Sequence, residues 1–150
     1  MDFAREKGLD AVNSGTCDVA EEIRRRNGGR LADAAIEGTG VGSVFCSCVE
    51  CVRAHGTVSM MGNPAGDMTV PVDIHSMLLR KEVTINGIWN SSRAPYPVNE
   101  WKFTVQMMDE GRLVVDDLIT DRVTQEELPS VIDEVRGKKR FPVKTMCLCG

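Results

Sequence analysis

The sequence predicts an α/β protein with a parallel sheet, followed by a C-terminal α+β segment. Short apolar segments alternate with helical segments, and turns containing glycine separate many of them. Strands and helices that alternate at this spacing form right-handed βαβ units, whose strands lie parallel. The composition agrees, because 150 residues with 42% hydrophobic and 27% charged residues suit one soluble globular domain.

Charge and composition exclude several classes of partner. The formal net charge is −4 and the chain has no basic cluster, so we expect no nucleic acid and no anionic membrane surface as partners. No apolar run approaches the roughly 20 residues of a membrane span, and the N-terminus does not resemble a secretory signal. The six cysteines are too sparse for a disulfide scaffold, which favours a reduced, cytoplasmic protein.

The first residues of the sequence have the pattern of the end of a helix. Residues 2–7 are helical in pattern, Gly8 is a left-handed cap, and residues 9–13 (LDAVN) predict a short strand. A capping-box-like start at Asp18 and Glu21 then predicts a helix that ends at Gly28 and Gly29. The elements predicted next are a strand at 31–36, a helix at 41–53, a strand at 57–61, a helix at 75–80 and a strand at 83–89.

The pattern changes beyond residue 95. Asn99 predicts the N-cap of a helix that carries Trp101, Val105 and Met108 on one face. The remaining predicted features are a strand at 118–122, a capping box from Thr124 to Glu127 with a helix behind it, and a final strand at 141–149. We place the domain boundary so that residues 1–112 form one domain and residues 113–150 the C-terminal segment.

Three segments together resemble the cofactor half of zinc-type medium-chain dehydrogenases: residues 29–40 (GRLADAAIEGTG), 56–62 (GTVSMMG) and 79–89 (LRKEVTINGIW). Pro95-x-Pro97-x-x-Glu100-Trp101 and Leu118-Ile119-x-x-Arg122 are similar to its polyol branch, which includes galactitol-1-phosphate and sorbitol dehydrogenases. The resemblance implies a truncated Rossmann-type sheet that lacks its first two strands. It also implies that residues 113–150 pack on a catalytic domain.

The function implied by this resemblance is hydride transfer between a polyol or polyol phosphate and NAD(H) or NADP(H). The family's GxGxxG phosphate turn and its zinc-binding domain have no counterpart in this sequence. We therefore assign no catalytic residue and no metal ligand, and expect the isolated chain to be inactive. The alternative is a non-catalytic dehydrogenase remnant that serves as an interaction or oligomerisation module. A metal or redox protein built on the cysteines is a third possibility.

The resemblance also implies which residues meet the cofactor and the substrate. The exits of two strands would face the nicotinamide, and Gly62 would let it approach closely. The cofactor-facing residues would be Met61, Gly62, Asn63, Ile88, Trp89 and Asn90, and the substrate-facing residues Asn90 and Ser91. The alternative for Trp89 is a core or interface aromatic. Asn90 and Ser91 depart from the sorbitol dehydrogenase pattern, which puts sorbitol itself in doubt.

Cysteine and histidine patterns favour structural roles. Cys46, Cys48 and Cys51 fall on a predicted helix and do not converge, so a tetrahedral zinc site is disfavoured. Buried free cysteine is the favoured interpretation. His55 and His75 have no ligand-type residue at suitable spacing beside them, and we expect both to be structural or solvent-facing.

The predicted strand order leaves a sheet edge without a partner. If residues 9–13 form the third strand of the family sheet, residues 31–36 expose an edge that invites pairing with another chain. We therefore expect a homo-oligomer, formed through this edge or through the last strand at 83–89. The exact polyol, the choice between NAD and NADP and the number of subunits are left open.

Overall fold

A computed structural model describes residues 2–64, 66–89 and 99–149, which fall into two units, Met1–Asn90 and Ser91–Gly150. The first unit contains α1 (Asp2–Glu6), α2 (Val19–Arg26), β1 (Ala32–Glu37), α3 (Gly42–Cys51), β2 (Val52–Met60), α4 (Val72–Lys81) and β3 (Thr84–Gly87). The second contains α5 (Glu100–Asp109), a 3₁₀ turn (Asp116–Leu118), β4 (Ile119–Thr124), α6 (Leu128–Arg136) and β5 (Lys144–Leu148). The domain assignment 1–112 and 113–150 stays a prediction.

The sheet of the first unit is parallel and has the order β1–β2–β3, which confirms the predicted α/β class. Helices α3 and α4 connect its strands and pack against the same face of it. Their apolar side chains meet β2 in one core cluster, formed by Phe45, Val49, Val52, Val58 and Ile74. The other face carries Ile36, whose side chain is 66% exposed, beside Ser59 and Asn86 in register.

Lys81 ties the end of α4 to the end of α3. Its Nζ donates hydrogen bonds to the carbonyl oxygens of Val49 (2.9 Å), Glu50 (3.0 Å) and Val52 (2.8 Å). These carbonyls lie at the end of α3, where a helix leaves acceptors without intrahelical donors and favours positive charge. Burial lowers the pKa of Lys81, and the nearby positive charge of Arg24 lowers it further.

The predicted caps of α2 and α5 are confirmed. The Asp18 carboxylate accepts from the Glu21 N–H at 3.0 Å, and the Asn99 side chain accepts from the Lys102 N–H at 3.1 Å. The predicted pair Thr124 and Glu127 exchanges hydrogen bonds in the turn before α6: the Thr124 N–H donates to Glu127 Oε2 at 2.8 Å and the Glu127 N–H donates to Thr124 Oγ1 at 3.3 Å. Helix α6 itself begins at Leu128 and has no side-chain cap. Short polar side chains at these positions satisfy N–H groups that a helix cannot satisfy itself.

The strand predicted at residues 9–13 is wrong, because this segment is irregular. Asn13 closes a local turn instead: its side-chain oxygen accepts from the Gly15 N–H and its carbonyl from the Thr16 N–H. A strand needs backbone hydrogen bonds to a neighbouring strand, and this segment has none within the described residues. Within the described residues, β1 pairs with a strand on one side only, where its neighbour is β2.

Strand β2 begins earlier than predicted. It starts at Val52 rather than at residue 57, and its register with β1 shifts between the pairs Ala32–Val52 and Ala34–Thr57. The irregular stretch holds His55 at φ +57°. Periodicity alone missed this part of the strand because a bulge interrupts alternation.

The second unit contains a parallel βαβ element. Strands β4 and β5 pair in parallel, and α6 buries Val131 while β4 buries Val123. Arg140 links strand and helix through ion pairs to Asp121 (2.8 Å) and Glu134 (3.2 Å). None of the helices in the described parts of the chain is long and apolar enough to cross a bilayer.

Two loops cross at the carboxyl edge of the first sheet, at Gly40 and Gly62. A Cβ on Gly62 would overlap the Gly40 nitrogen and would lie 2.6 Å from the Thr39 nitrogen. A Cβ on Gly40, where φ is +74°, would lie 2.7 Å from the carbonyl carbon of Asn63. The obstructing atoms are backbone, so neither position accepts a side chain unless the other loop moves.

We expect Gly62→Ala to destabilise the first unit by about 1–3 kcal/mol, because the added methyl group forces backbone apart. The measurement is the thermal midpoint followed by circular dichroism. Gly66→Ala is the matched control, since a Cβ at that position meets nothing within 4 Å. Equal melting temperatures for the two variants would contradict the claim that the loops at Gly40 and Gly62 are in backbone contact.

Candidate functional site

Glu37 holds the two crossing loops at the carboxyl edge of the sheet. It is the last residue of β1 and is fully buried. Its Oε1 accepts hydrogen bonds from the Thr39 N–H (2.7 Å), the Thr39 hydroxyl (2.6 Å) and the Gly40 N–H (2.9 Å). Its backbone carbonyl accepts from the N–H groups of Met61 (2.8 Å) and Gly62 (3.0 Å). One residue therefore fixes the turn after β1 and the exit of β2.

The carboxylate of Glu37 is held in its charged form. The hydrogen bond from the Thr39 hydroxyl lowers the pKa of Glu37, and the backbone N–H groups of Thr39, Gly40 and Val41 lower it further, whereas burial acts in the opposite direction. Its second oxygen, Oε2, is buried without a hydrogen-bond partner. This oxygen faces Gly62, since a Cβ built there would lie 2.7 Å away.

The exits of β2 and β3 form one side of a cavity of about 360 Å³. The Ile88 N–H donates to the Met60 carbonyl at 2.8 Å and joins the two exits. The lining residues are Met60, Met61, Gly62, Asn63, Gly87, Ile88 and Trp89. Ligands of open α/β sheets bind at this carboxyl edge, because the loops that follow parallel strands converge there.

The structure brings together most of the residues predicted to face the cofactor. Met61, Gly62, Asn63, Ile88 and Trp89 all line the cavity. Asn90, predicted to meet both cofactor and substrate, and Ser91, predicted to meet the substrate, lie outside the described residues. The cofactor and substrate roles of these residues stay predictions.

Gly62 also meets a constraint within this chain that the sequence did not reveal, and its predicted role in cofactor approach stays a prediction. The space that a side chain would fill belongs to the Thr39–Gly40 turn of this chain, not to a ligand. Gly62 also lines the cavity at the exits of β2 and β3.

The histidines stand apart from this cavity. The His55 Nδ1 lies 3.7 Å from Glu82 Oε2, and both side chains are largely exposed. His55 precedes the regular part of β2 and so lies toward the amino end of that strand, opposite the cavity. His75 is exposed on α4.

A resident zinc ion does not fit the described residues. Within the ranges 2–64, 66–89 and 99–149, no three His, Cys, Asp or Glu side chains lie close enough to hold a metal ion. A flat nicotinamide ring fits the cavity better, because Trp89 and Ile88 offer apolar surface and Asn63 offers an amide.

Sequence reasoning missed Glu37 as the residue that organises the site. The signal was present, since an acidic residue ends an apolar strand and is followed by the tight sequence Gly38-Thr39-Gly40. A carboxylate at that position either reaches solvent or accepts the N–H groups of the next turn, and only coordinates distinguish the two.

Comparison with known proteins assigns the family. The family model described as zinc-binding dehydrogenase matches residues 1–110. An alcohol dehydrogenase of Cupriavidus necator is 25% identical over 134 residues, which cover 89% of this chain and 35% of that protein. The galactitol 1-phosphate 5-dehydrogenase of Escherichia coli K12 is 24% identical over 119 residues, covering 79% of this chain and 34% of that protein.

Solved structures share the fold. The 2R,3R-butanediol dehydrogenase of Bacillus subtilis has a TM-score of 0.76 at 22% identity, covering 99% of this chain and 40% of that one. The galactitol-1-phosphate dehydrogenase of Escherichia coli has a TM-score of 0.75 at 23% identity, covering 93% of this chain and 40% of that one. The chain thus spans 34–40% of the length of these relatives. It belongs to the zinc-binding dehydrogenase family and corresponds to the C-terminal portion of its members.

Proposed function

We propose that this chain provides the nicotinamide-facing wall of an NAD(P)-dependent alcohol or polyol dehydrogenase. The observation that carries the proposal is the meeting of Met61, Gly62, Asn63, Ile88 and Trp89 on one cavity at the carboxyl edge of a parallel sheet. The membership of this chain in the zinc-binding dehydrogenase family supports the same role.

The wall would act by position and by excluding water. A bound nicotinamide accepts hydride from the carbon of the alcohol, and the protein supplies orientation and surroundings. Ile88 and Trp89 would offer apolar surface to the ring, and the Asn63 amide could donate and accept hydrogen bonds to a carboxamide. Glu37 keeps the exit of β2 in place through its backbone carbonyl.

The finer features of the function rest on resemblance. We propose a polyol or polyol phosphate as the substrate, with Asn90 and Ser91 near it, because a curated relative is a galactitol 1-phosphate 5-dehydrogenase. No described residue is assigned as acid, base or zinc ligand. We therefore expect the isolated chain to show no turnover, since positioning and metal polarisation contribute many orders of magnitude in rate.

A second candidate function is an interaction or oligomerisation module. The observation that favours it is the edge of β1, which within the described residues pairs on one side only. An unpaired edge of this kind can accept a strand from a second copy of the chain.

The stability of the wall should depend on pH through the carboxyl group of Glu37. The pKa of its carboxyl group is lowered in the folded chain, so its contribution to stability is present above the unfolded value near 4.5. That contribution is lost as the pH falls through the lower folded value, because protonation weakens the hydrogen bonds that the carboxylate accepts.

The direct test of the wall is the fluorescence of Trp89 in a Trp101→Phe background. We expect NADH to quench this emission with a Kd of about 1 mM or weaker, because the chain lacks the GxGxxG turn that binds pyrophosphate. ADP-ribose should neither quench nor compete, and Trp89→Phe with Trp101 retained is the matched control. Absence of quenching, or micromolar binding that ADP-ribose displaces, would contradict the proposal.

The pH dependence is tested with Glu37→Gln. We expect the variant to be less stable than the parent chain at pH 7, and the gap in melting temperature to close as the pH falls below about 4.5. Glu6→Gln, a change at an exposed position, is the control. A gap that stays constant from pH 7 to pH 3 would show that the Glu37 charge does not matter.

The oligomerisation candidate is tested by light scattering at low micromolar concentration. We expect a dimer, and Ala34→Lys on the exposed part of β1 should convert it to a monomer, because a charge on an edge strand opposes pairing. Thr84→Lys makes the matched change on β3. A monomeric parent chain would reject this candidate, and dissociation by Thr84→Lys alone would place the interface on β3.

A further inference from the structure

A second cavity, of about 240 Å³, lies between α3 and the segment that precedes α2. It shares no lining residue with the proposed nicotinamide wall. Four apolar side chains contribute to its lining, together with two serines and two cysteines: Val12, Val19, Ala35 and Val44, Ser14 and Ser47, and Cys48 and Cys51.

The two cysteines occupy one face of α3. Val44, Cys48 and Cys51 are spaced i, i+4 and i+7, so they follow one another along the helix toward the cavity. Residues three apart on a helix have Cβ atoms about 5–6 Å apart, which lets two thiols reach one atom between them. Cys46 is rotated by about 200° from Cys48 and does not line the cavity.

Burial favours the neutral form of both thiols. Burial raises the pKa of the Cys48 thiol, and the charge of Glu37 raises it further. Burial also raises the pKa of Cys51, with a further contribution from Cys48. A zinc ion requires thiolates and four ligands, whereas the described residues offer no third metal-binding side chain near this pair.

Trivalent arsenic suits a pair of neighbouring thiols that has no third protein ligand within the described residues. An organoarsenic oxide reacts with two thiols to form two As–S bonds, while the arsenic–oxygen bond and both S–H bonds break. The oxygen leaves as water with the two thiol protons, and no atom changes its oxidation state. The third substituent of arsenic is its own carbon, so two cysteines complete its coordination.

We propose that Cys48 and Cys51 form a dithiol site for trivalent arsenicals that carry one small apolar group. An apolar cavity of roughly 150 Å³ holds benzene. The cavity of about 240 Å³ beside these thiols therefore has room for an aromatic substituent against its valine and alanine walls.

The test uses phenylarsine oxide and the whole chain. We expect the first equivalent to consume two of the six thiols, and peptide mapping to place the adduct on α3. Cys48→Ala and Cys51→Ala should each weaken binding roughly 100-fold or more, because two linked contacts become one. Cys46→Ala is the matched control on the same helix and should bind like the parent chain.

The chain contains a competing pair, Cys147 and Cys149, at its C-terminal strand. The double variant Cys147→Ala/Cys149→Ala should keep the first-equivalent binding. Loss of that binding in the double variant, or unchanged affinity in Cys48→Ala, would overturn the proposal. Because Cys51 is buried and its replacement could impair folding, half-buried Cys48 decides the outcome, with circular dichroism confirming that each variant is folded.

Discussion

The Glu37 carboxylate is the interaction on which the carboxyl edge of the first sheet depends. It is buried at the end of β1 and satisfies the turn through Thr39 and Gly40, while its own carbonyl holds the exit of β2. A buried charge is costly unless hydrogen bonds compensate it, and here they come from the loop that the site needs. The glycines at 40 and 62 follow from the same constraint, because the two loops cross in backbone contact.

The parallel sheet and its helices were predictable because they depend on local patterns. Apolar runs, capping residues such as Asp18 and Asn99 and the Thr124–Glu127 box identify elements without knowledge of distant contacts. The prediction of a strand at residues 9–13 failed because a strand forms only where a neighbouring strand completes its hydrogen bonds. The sequence of these five residues does not show whether such a neighbour exists. The predicted start of β2 was too late for a related reason, since a bulge breaks the alternation of side chains along the strand.

The sequence predicted the position of the candidate site, but not the residues that hold its loops in place. Resemblance located the strand exits at residues 61–63 and 88–89, and these residues line one cavity. The role of Glu37 and the pairing of Cys48 with Cys51 depend on which side chains are buried together, which periodicity does not state. The two cavities also differ in chemistry: one follows the exits of β2 and β3, and the other carries thiols beside α3.

The proposed wall is tested most directly by following backbone amide resonances during titration with reduced nicotinamide mononucleotide. The account predicts shifts at Met61, Gly62, Asn63 and Ile88 and at the Trp89 indole, with smaller changes along α2 and in the second unit. In Glu37→Gln the same titration should give weaker shifts, because the Thr39–Gly40 turn, which contacts the β2 exit at Gly62, loses the carboxylate that holds it. Shifts confined to the second unit, or no change at the exits of β2 and β3, would contradict the account.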